Sequence, residues 1–344
     1  MRILKAKLLI FLIVVCGASS CERRPYCEEI MHNDLCGVTD YLYFSTIDTG
    51  YIITHVGDFY DSAHISYVYQ TVNGGTSWQL TDSLPSYSFR EPFTTYKNNI
   101  YGYVHDGSQS NGYRNNYLCM IDLRNHNHEI HNEIIHGPGP IVCYGDTIIA
   151  YVFIDSAKYF LRLSHNLSSI SIEKDTLHSC IKDVAYSDSL FAFLTYDNEL
   201  YFFSPHRKGI YPMKQLAHGI QIIDNDCYIA CWRTKGKDAC VLRKSHESNI
   251  CDTLSFPHGY HVIDFMKMAS DSIIIITFAR REIFYPFENI VYSTNRGLSW
   301  TEISLDPFIF PKNSCYCKPY LIYLAPNNTN MLVRWNLLKT QPSR

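Results

Sequence analysis

The sequence predicts an all-β protein, and three observations support this. The 344 residues include 27 Tyr, 18 Phe and 4 Trp, and aromatic side chains favour the half-buried surface of a sheet. Beyond residue 40 the apolar runs have the length of strands, as at residues 273–278. No stretch shows a sustained apolar period at i, i+3 and i+4, and no capping box precedes an apolar run. We therefore expect strands throughout the chain.

Composition and charge exclude two classes of protein. Apolar residues make up 46% of the chain and charged residues 18%, which supplies a sizeable core and excludes a long disordered chain. Thirty Lys and Arg stand against 33 Asp and Glu, a formal net charge of −3. A nucleic-acid-binding protein needs a basic excess to neutralise phosphates, so nucleic acid is not an expected partner.

Residues 1–20 have the layout of a secretory signal. Arg2, Lys5 and Lys7 precede an apolar run at residues 8–15, and small residues then lead to Cys21. The apolar run is shorter than the ~20 residues that a membrane-spanning helix needs. We therefore expect the chain to be exported from the cytoplasm.

The small residues before Cys21 resemble the lipobox of bacterial lipoproteins, although Ala18 stands where that family usually has Leu. The resemblance implies that residues 1–20 are a removed signal peptide and that Cys21 becomes the acylated first residue. Several acyl chains on one residue would anchor the protein to a membrane of the cell envelope, since each buried methylene contributes about 0.8 kcal/mol. Ordinary cleavage near the same point and an uncleaved anchor are the alternatives.

The number of cysteines is only partly consistent with an exported protein whose cysteines all form disulfides. Thirteen cysteines, less Cys16 in the signal and Cys21, leave an odd number, so at least one is unpaired or bonded to another chain. Cys27 and Cys36 could close a short loop. Other cysteines lie in apolar runs, where a free thiol serves as a small buried hydrophobe; these are Cys119, Cys143, Cys227 and Cys231.

Two eight-residue segments share one pattern. Residues 71–78 read TVNGGTSW and residues 293–300 read STNRGLSW. In each, an Asn can hydrogen-bond the nearby backbone, a Gly can adopt a positive φ, and a Trp can cover the turn. These residues are Asn73, Gly75 and Trp78 in the first segment and Asn295, Gly297 and Trp300 in the second. The pattern predicts two tight hairpin turns.

Both segments resemble the Asp box, or BNR repeat, with Asn in place of the usual Asp. The Asp box recurs in sialidases, sortilin-type receptors and photosystem II assembly factors, as a turn between the outer strands of a β-propeller blade. The stretch FSTIDTGYI at residues 44–52 resembles the first-strand signature that precedes the box. The resemblance implies a β-propeller and assigns the six turn residues a structural role.

The spacing of the two segments indicates the number of blades. Trp78 and Trp300 are 222 positions apart, which fits five steps of the ~40–45 residues in a blade. We predict seven four-stranded blades in one domain over residues 41–337, with six blades as the alternative and a tail at 338–344. Residues 21–40 are an N-terminal tether and a possible closing strand, which would lie near Tyr41. A pair of β-sandwiches is the alternative architecture.

One arginine motif resembles that of sialidases. FREP at residues 89–92 is similar to their FRIP-like motif, which would make Arg90 the first of three arginines that grip a substrate carboxylate. The motif follows the first Asp-box-like segment, whereas in the family it precedes the box. The other candidates lack the local patterns of the family; they are Arg233, Arg280, Arg281 and Arg334. The alternative is that these arginines pair with blade carboxylates or lie on loops.

Histidines cluster once, in NHNHEIHNEIIH at residues 125–136. In a strand, His126 and His128 would share a face, and imidazoles at that spacing bind zinc or copper, with His131 completing the set. The alternative is a solvent-facing outer strand. Phosphate-binding and dinucleotide-binding glycine loops and EF-hand loops are missing from the sequence, so no cofactor is expected.

These observations together predict a non-enzymatic, lipid-anchored propeller of the cell envelope that binds a glycan or protein partner or acts as a scaffold. An exo-sialidase or related glycoside hydrolase that uses Arg90 is the alternative, and an assembly factor for a membrane complex is a second alternative. Most tyrosines, with Tyr101 and Tyr103 among them, are expected to fill the space between blades.

Overall fold

A computed structural model describes residues 27–337 except for 32–34, 58–63, 107–114, 145, 156, 188–189, 205–206, 224–225, 233–238, 246–250, 255, 260–261, 266–274, 281–288, 305–311, 318 and 325–330. The signal at residues 1–20, Cys21 and the tail at 338–344 lie outside the described residues, as do Arg233 and Arg281. Within the described residues, no helix is long and apolar enough to cross a membrane.

The described strands begin with β1 (Cys27–Met31) and continue as a series of antiparallel sheets. The first three sheets are β2 (Val38–Phe44), β3 (Gly50–Val56), β4 (Ile65–Thr71) and β5 (Gln79–Pro85); β6 (Tyr87–Tyr96), β7 (Asn99–Asp106), β8 (Asn116–Asp122) and β9 (Asn127–Ile130); and β10 (Gly137–Tyr144), β11 (Thr147–Ile154), β12 (Ala157–Ser164) and β13 (Ser169–Lys174). The next two are β14 (Ile181–Tyr186), β15 (Phe191–Thr195), β16 (Glu199–Ser204) and β17 (Arg207–Pro212); and β18 (Ala217–Ile223), β19 (Asp226–Cys231), β20 (Cys240–Ser245) and β21 (Cys251–Leu254). The last two are β22 (Val262–Phe265), β23 (Ile275–Arg280), β24 (Asn289–Ser293) and β25 (Thr301–Ser304); and β26 (Lys312–Cys317), β27 (Tyr320–Leu324) and β28 (Met331–Asn336), which β1 completes.

The strands thus form seven four-stranded sheets, which are the blades of a propeller and are numbered 1 to 7 in that order. The first strands of blades 1 to 6 contact one another in order, from β2 and β6 through to β18 and β22, and β26 of blade 7 contacts β2. The first strands therefore surround a central channel and the fourth strands lie outermost. The prediction of an all-β propeller is confirmed.

The ring is closed by a strand from the N-terminus. β1 pairs antiparallel with β28, with Glu28 opposite Arg334, and so provides the outermost strand of blade 7. This pairing covers the edge that β28 would otherwise expose. β1 lies within residues 21–40, the segment with the possible closing strand, whereas Tyr41 itself lies in β2, the inner strand of blade 1.

Apolar side chains fill the space between neighbouring blades. Tyr101 and Tyr103 are fully buried, as expected, and further fully buried tyrosines are Tyr151, Tyr228, Tyr292 and Tyr323. Alternate residues of a strand point to opposite faces, so both faces of each blade can supply rings to the packing. Large rings suit this space because the blades diverge from the channel outward.

The cysteines predicted to be buried are buried and free. Cys119, Cys143, Cys227 and Cys231 are inaccessible thiols within the blades. Burial raises the pKa of the Cys143 thiol to about 12, because the thiolate would lose its hydration. Cys36 is exposed and free, so the short loop between Cys27 and Cys36 is not closed.

Candidate functional site

The two Asp-box-like turns have the same hydrogen bonds. In the first, the Ser77 amide donates to Asn73 Oδ1 at 3.0 Å, and Asn73 Nδ2 donates to Ser77 Oγ at 2.9 Å. The Gly75 amide donates to Thr71 Oγ1 at 2.8 Å. The second turn repeats this set with Ser293, Asn295, Gly297 and Ser299 at 2.7 to 2.8 Å. Gly75 and Gly297 both have positive φ, at 92° and 82°.

Both turns join the third and fourth strands of their blades, β4 to β5 and β24 to β25. They lie in blades 1 and 6, which are five steps apart. Trp78 is buried at the first turn, and Trp300 packs edge-on against Phe256 at the second. The turns are far from the inner strands, so they stabilise the fold and leave the site of function to be found elsewhere.

Arg334 has a structural role at the closure of the ring. It lies on β28, the third strand of blade 7, and is only 9% exposed. Its guanidinium donates to the Gly74 carbonyl in the first turn, and Nη1 lies 3.7 Å from the Glu28 carboxylate of β1. Arg334 therefore joins three segments of the outer ring and does not face the channel.

Among the described inner strands, Arg90 has no second arginine beside it that could contribute to a sialidase triad. This half-buried residue lies on β6, the inner strand of blade 2. The inner strands of the other six blades contain no arginine at all. Arg280 ends β23, a second strand. Within the described part of the chain, no second arginine on an inner strand can help Arg90 to grip a substrate carboxylate.

The histidines of residues 125–136 do not form the predicted face. His126 lies in the turn before β9 with φ 54°, and only His128 belongs to the strand. His128 Nδ1 lies 2.9 Å from Asp82 Oδ2 on β5 of the neighbouring blade, and His131 Nδ1 accepts a hydrogen bond from the Glu133 amide. Within the described residues, no three His, Cys, Asp or Glu side chains could hold a metal ion together. Strand β9 begins at Asn127, whereas the predicted histidine face requires His126 to lie within the strand.

A ring of β-bulges marks one level of the channel. In six of the seven blades, one to three residues of the described inner strand are skipped in its residue-by-residue pairing with the second strand. These residues lie three to five residue pairs before the hairpin that joins the two strands. The skipped residues are Asp40, 91–93, 139–140, Lys182, His218 and Asn313. A bulge frees a side chain from the alternation of the strand and can aim it at a ligand. Because the blades repeat one topology, the bulges lie at the same end of the channel.

At this end, a cavity of about 650 Å³ opens between blades 2, 3 and 4. Three of the bulges supply its wall: Pro92 from blade 2, Gly139 and Pro140 from blade 3, and Lys182 from blade 4. The loop from β13 to β14 and the loop after β15 complete it, the latter with Tyr196 and Asp197. Its volume lies within the ~300–1,000 Å³ of ligand pockets. We take this cavity as the candidate site.

Lys182 is the cationic group of the cavity. Its Nζ donates to the Ala217 carbonyl at 2.9 Å and lies 6.0 Å from the ring centroids of both Tyr196 and Trp232. Burial lowers the pKa of the Lys182 ammonium below its usual range, and the Asp183 carboxylate opposes this shift. An ammonium has three donors, and the hydrogen bond to the Ala217 carbonyl uses one of them.

The neighbouring aromatic rings are accessible. Tyr196 is 66% exposed and Trp232 36% exposed, whereas the other described Phe, Tyr and Trp side chains are buried or half-buried. His218, the bulged residue of blade 5, lies against Trp232 with ring centroids 5.0 Å apart. We call Lys182, Tyr196, Trp232 and His218 the rim cluster.

Asp183 is the acidic neighbour of Lys182, and backbone amides hold its carboxylate in place. Oδ1 accepts from the Val184 amide and Oδ2 from the Ile220 amide, both at 2.9 Å. Val184 is on the same strand, whereas Ile220 is on β18 of blade 5. Asp183 therefore ties two inner strands together at the level of the bulges and fixes the position of Lys182.

A buried network supports the loop from β13 to β14. Asp175, whose side chain is 1% exposed, accepts from Tyr151 Oη and from the Leu177 amide, both at 2.9 Å. Lys158 Nζ lies 3.6 Å from the Asp175 carboxylate and donates to the carbonyl groups of Leu177 and Ser179. The Lys158–Asp175 pair thus holds the loop that lines the cavity.

The sequence did not reveal the rim cluster. Lys182 lies at the start of an ordinary strand pattern, and Trp232 follows a buried run, so neither carries a local signal. A bulge depends on the partner strand, so the skipped residue is not visible in the sequence of the inner strand alone.

Sequence comparisons find no matching protein-family model and no matching curated protein. Solved structures match along most of the chain at low identity. YCF48 bound to a D1 peptide is similar at 10% identity and a TM-score of 0.58, over 92% of this chain and 97% of that one. The β-propeller domain of the Trilobed protease from Pyrococcus furiosus is similar at 7% identity and a TM-score of 0.61, over 87% and 95%. A chain of the Mitotic Checkpoint Complex is similar at 10% identity and a TM-score of 0.59, over 90% and 91%. At such identities the similarity establishes the propeller fold alone.

Proposed function

We propose that this chain is a non-enzymatic propeller of the bacterial cell envelope that binds a carboxylate-bearing peptide segment of a partner protein. The cavity between blades 2, 3 and 4 is the binding site, and a lipid on Cys21 holds the protein to a membrane. The observation that carries the proposal is Lys182, which lines this cavity and whose ammonium lies 6.0 Å from the accessible rings of both Tyr196 and Trp232.

The rim cluster suits a peptide carboxylate. An ammonium bonded to a carboxylate makes a charge-assisted hydrogen bond, which is about twice as strong as a neutral one. Lys182 is already positioned by the Ala217 carbonyl and partly desolvated, so ordering it costs little on binding. Tyr196 and Trp232 offer apolar area beside the charge, as aromatic residues do at protein interfaces.

The similar structures support a protein partner. One is a propeller with a peptide bound and another is part of a multiprotein complex. A propeller anchored in the envelope that binds a segment of another protein could act as a scaffold or assembly factor for a membrane complex. A sialidase function is not proposed, because the inner strands of blades other than blade 2 lack arginine.

The proposal is tested by selecting short peptides from a random library on the mature chain and measuring their affinity with a free and an amidated C-terminus. The Lys182→Met variant should bind selected peptides about 10- to 100-fold more weakly, because one hydrogen bond to a charged group contributes about 1.5–3 kcal/mol. Lys97→Met is the control, since Lys97 is 63% exposed and pairs with Asp146 away from the cavity.

Equal affinity of the Lys182→Met and Lys97→Met variants would overturn the assignment of the cavity. Failure of every peptide to bind, with binding of an acidic glycan that depends on Tyr196 and Trp232, would replace the peptide with a sugar ligand.

The anchoring is tested separately in a bacterial host. The native chain should enter the membrane fraction with an acylated N-terminal Cys21, and the Cys21→Ser variant should not be acylated. Recovery of the native chain with an unmodified cysteine, or with a mature N-terminus elsewhere, would contradict the lipoprotein assignment.

A further inference from the structure

Cys231 and Cys240 face each other across a hairpin of blade 5. Cys231 is the last residue of β19, Cys240 is the first residue of β20, and the two are direct partners in the antiparallel register. Directly opposed residues of antiparallel strands have Cα atoms about 4.5–5.5 Å apart and side chains on one face. A disulfide needs a Cα separation of about 4.4–6.8 Å, so the register places this pair in the range that a disulfide spans.

The two thiols also share one environment. Cys231 is 0% and Cys240 7% exposed, and both belong to the apolar cluster between blades 4 and 5. Neither forms a disulfide in the structure; Cys240 Sγ donates to Gln215 Oε1 at 2.8 Å, and the Cys240 thiol also contacts that of Cys231. That contact, together with burial, raises the pKa of the Cys231 thiol, which keeps it protonated and unreactive in the folded chain.

We propose that Cys231 and Cys240 form a disulfide when the chain folds in an oxidising compartment. One thiolate attacks a disulfide donor such as oxidised glutathione, forming a mixed disulfide and releasing one donor thiolate. The second cysteine then displaces the other donor thiolate. Two cysteine thiols are oxidised, one donor disulfide is reduced to two thiols, and the two protons end on those thiols.

The bond would fix the base of the connection that begins with Trp232. The Trp232 amide donates to the Leu216 carbonyl at 2.9 Å, and its ring lies beside Lys182 in the rim cluster. A crosslink one residue away therefore restrains the position of that ring. The inference concerns this hairpin and does not depend on which ligand the cavity binds.

The test compares the native chain recovered from a bacterial periplasm with the same chain made in the cytoplasm. Each sample is unfolded, alkylated without reduction and mapped by mass spectrometry. The periplasmic chain should yield a peptide pair joined through Cys231 and Cys240, while Cys227 is alkylated. Cys227 is the matched control, because it is equally buried on the same strand but faces Lys244. Alkylation of both Cys231 and Cys240 in the periplasmic chain, or a bond from either one to Cys251, would overturn the proposal.

A second measurement follows the effect of the bond on stability. Adding a reductant should lower the melting temperature of the native periplasmic chain and leave that of the Cys231→Ala/Cys240→Ala variant unchanged. An equal decrease in both would assign the effect to other cysteines and contradict the proposal. If the double variant does not fold, the peptide map of the native chain still decides the question.

Discussion

Asp175 anchors the loop that lines the cavity, and its replacement by alanine tests how this part of the site is held. The carboxylate accepts hydrogen bonds from Tyr151 Oη and from the Leu177 amide, both at 2.9 Å, and lies 3.6 Å from Lys158 Nζ. Its side chain is 1% exposed, so water cannot replace these partners. The variant would leave a phenol hydroxyl and an amide without this acceptor, and the Lys158 ammonium without its counter-charge.

The expected loss is about 3–5 kcal/mol of the free energy of unfolding. Each hydrogen bond to a charged acceptor contributes about 1.5–3 kcal/mol, and removal of one member of a buried ion pair costs about 3–5 kcal/mol. The two values describe the same group and are not added. Lys158 is 18% exposed and can partly turn to solvent, which favours the lower end of the range.

Urea unfolding of the native chain and the Asp175→Ala variant measures this loss, provided that the m-value is unchanged. Asp146→Ala is the control, since that carboxylate is 83% exposed and pairs only at the surface with Lys97 and His165. The control should lose less than about 1 kcal/mol. A loss in the Asp175→Ala variant no larger than in the control would refute the reasoning.

Three further predictions follow from single contacts. Asn73→Ala and Asn295→Ala should each cost about 1–2 kcal/mol and should agree with each other, because the two turns have the same hydrogen bonds; clearly unequal urea midpoints would contradict this. Burial raises the pKa of Tyr101 from 10.0 to about 12. The contribution of its neutral hydroxyl to the free energy of unfolding is therefore complete below pH 10 and is lost as the pH rises from 10 through 12. Phenolate absorbance and unfolding measured over this pH range should change together. Gly139→Ala should distort the bulge and weaken peptide binding, since the new Cβ would lie 2.5 Å from the Tyr151 carbonyl oxygen; peptide affinity equal to that of the native chain would argue against this cavity.

The Asp-box-like turns show what could be recognised from a short stretch of sequence. The side-chain hydrogen bonds within the first turn join residues two to four positions apart, so the residues that form the turn are close together in the chain. The same holds for the strands, whose alternation is set by a few consecutive residues. The interval between the two turns then gave the repeat length, because each blade is one contiguous segment.

The histidine and arginine candidates show where local patterns were insufficient. His128 is engaged by Asp82, 46 positions away on another blade, and Arg334 by Gly74, 260 positions away. Each of these partners is set by the packing of blades against one another. The sequence suggested His128 as a metal ligand and Arg334 as a candidate for binding a substrate carboxylate. Both residues instead form contacts between neighbouring blades.

The sequence by itself determined that this protein is built of strands in repeated units with two tight outer turns, because those features depend on neighbouring residues. Only the tertiary structure decided where a ligand can bind. The cavity needs bulges from three blades, and each bulge depends on the register between an inner strand and its partner. Lys182, Tyr196 and Trp232 meet there because two blades bring separate loops to one end of the channel.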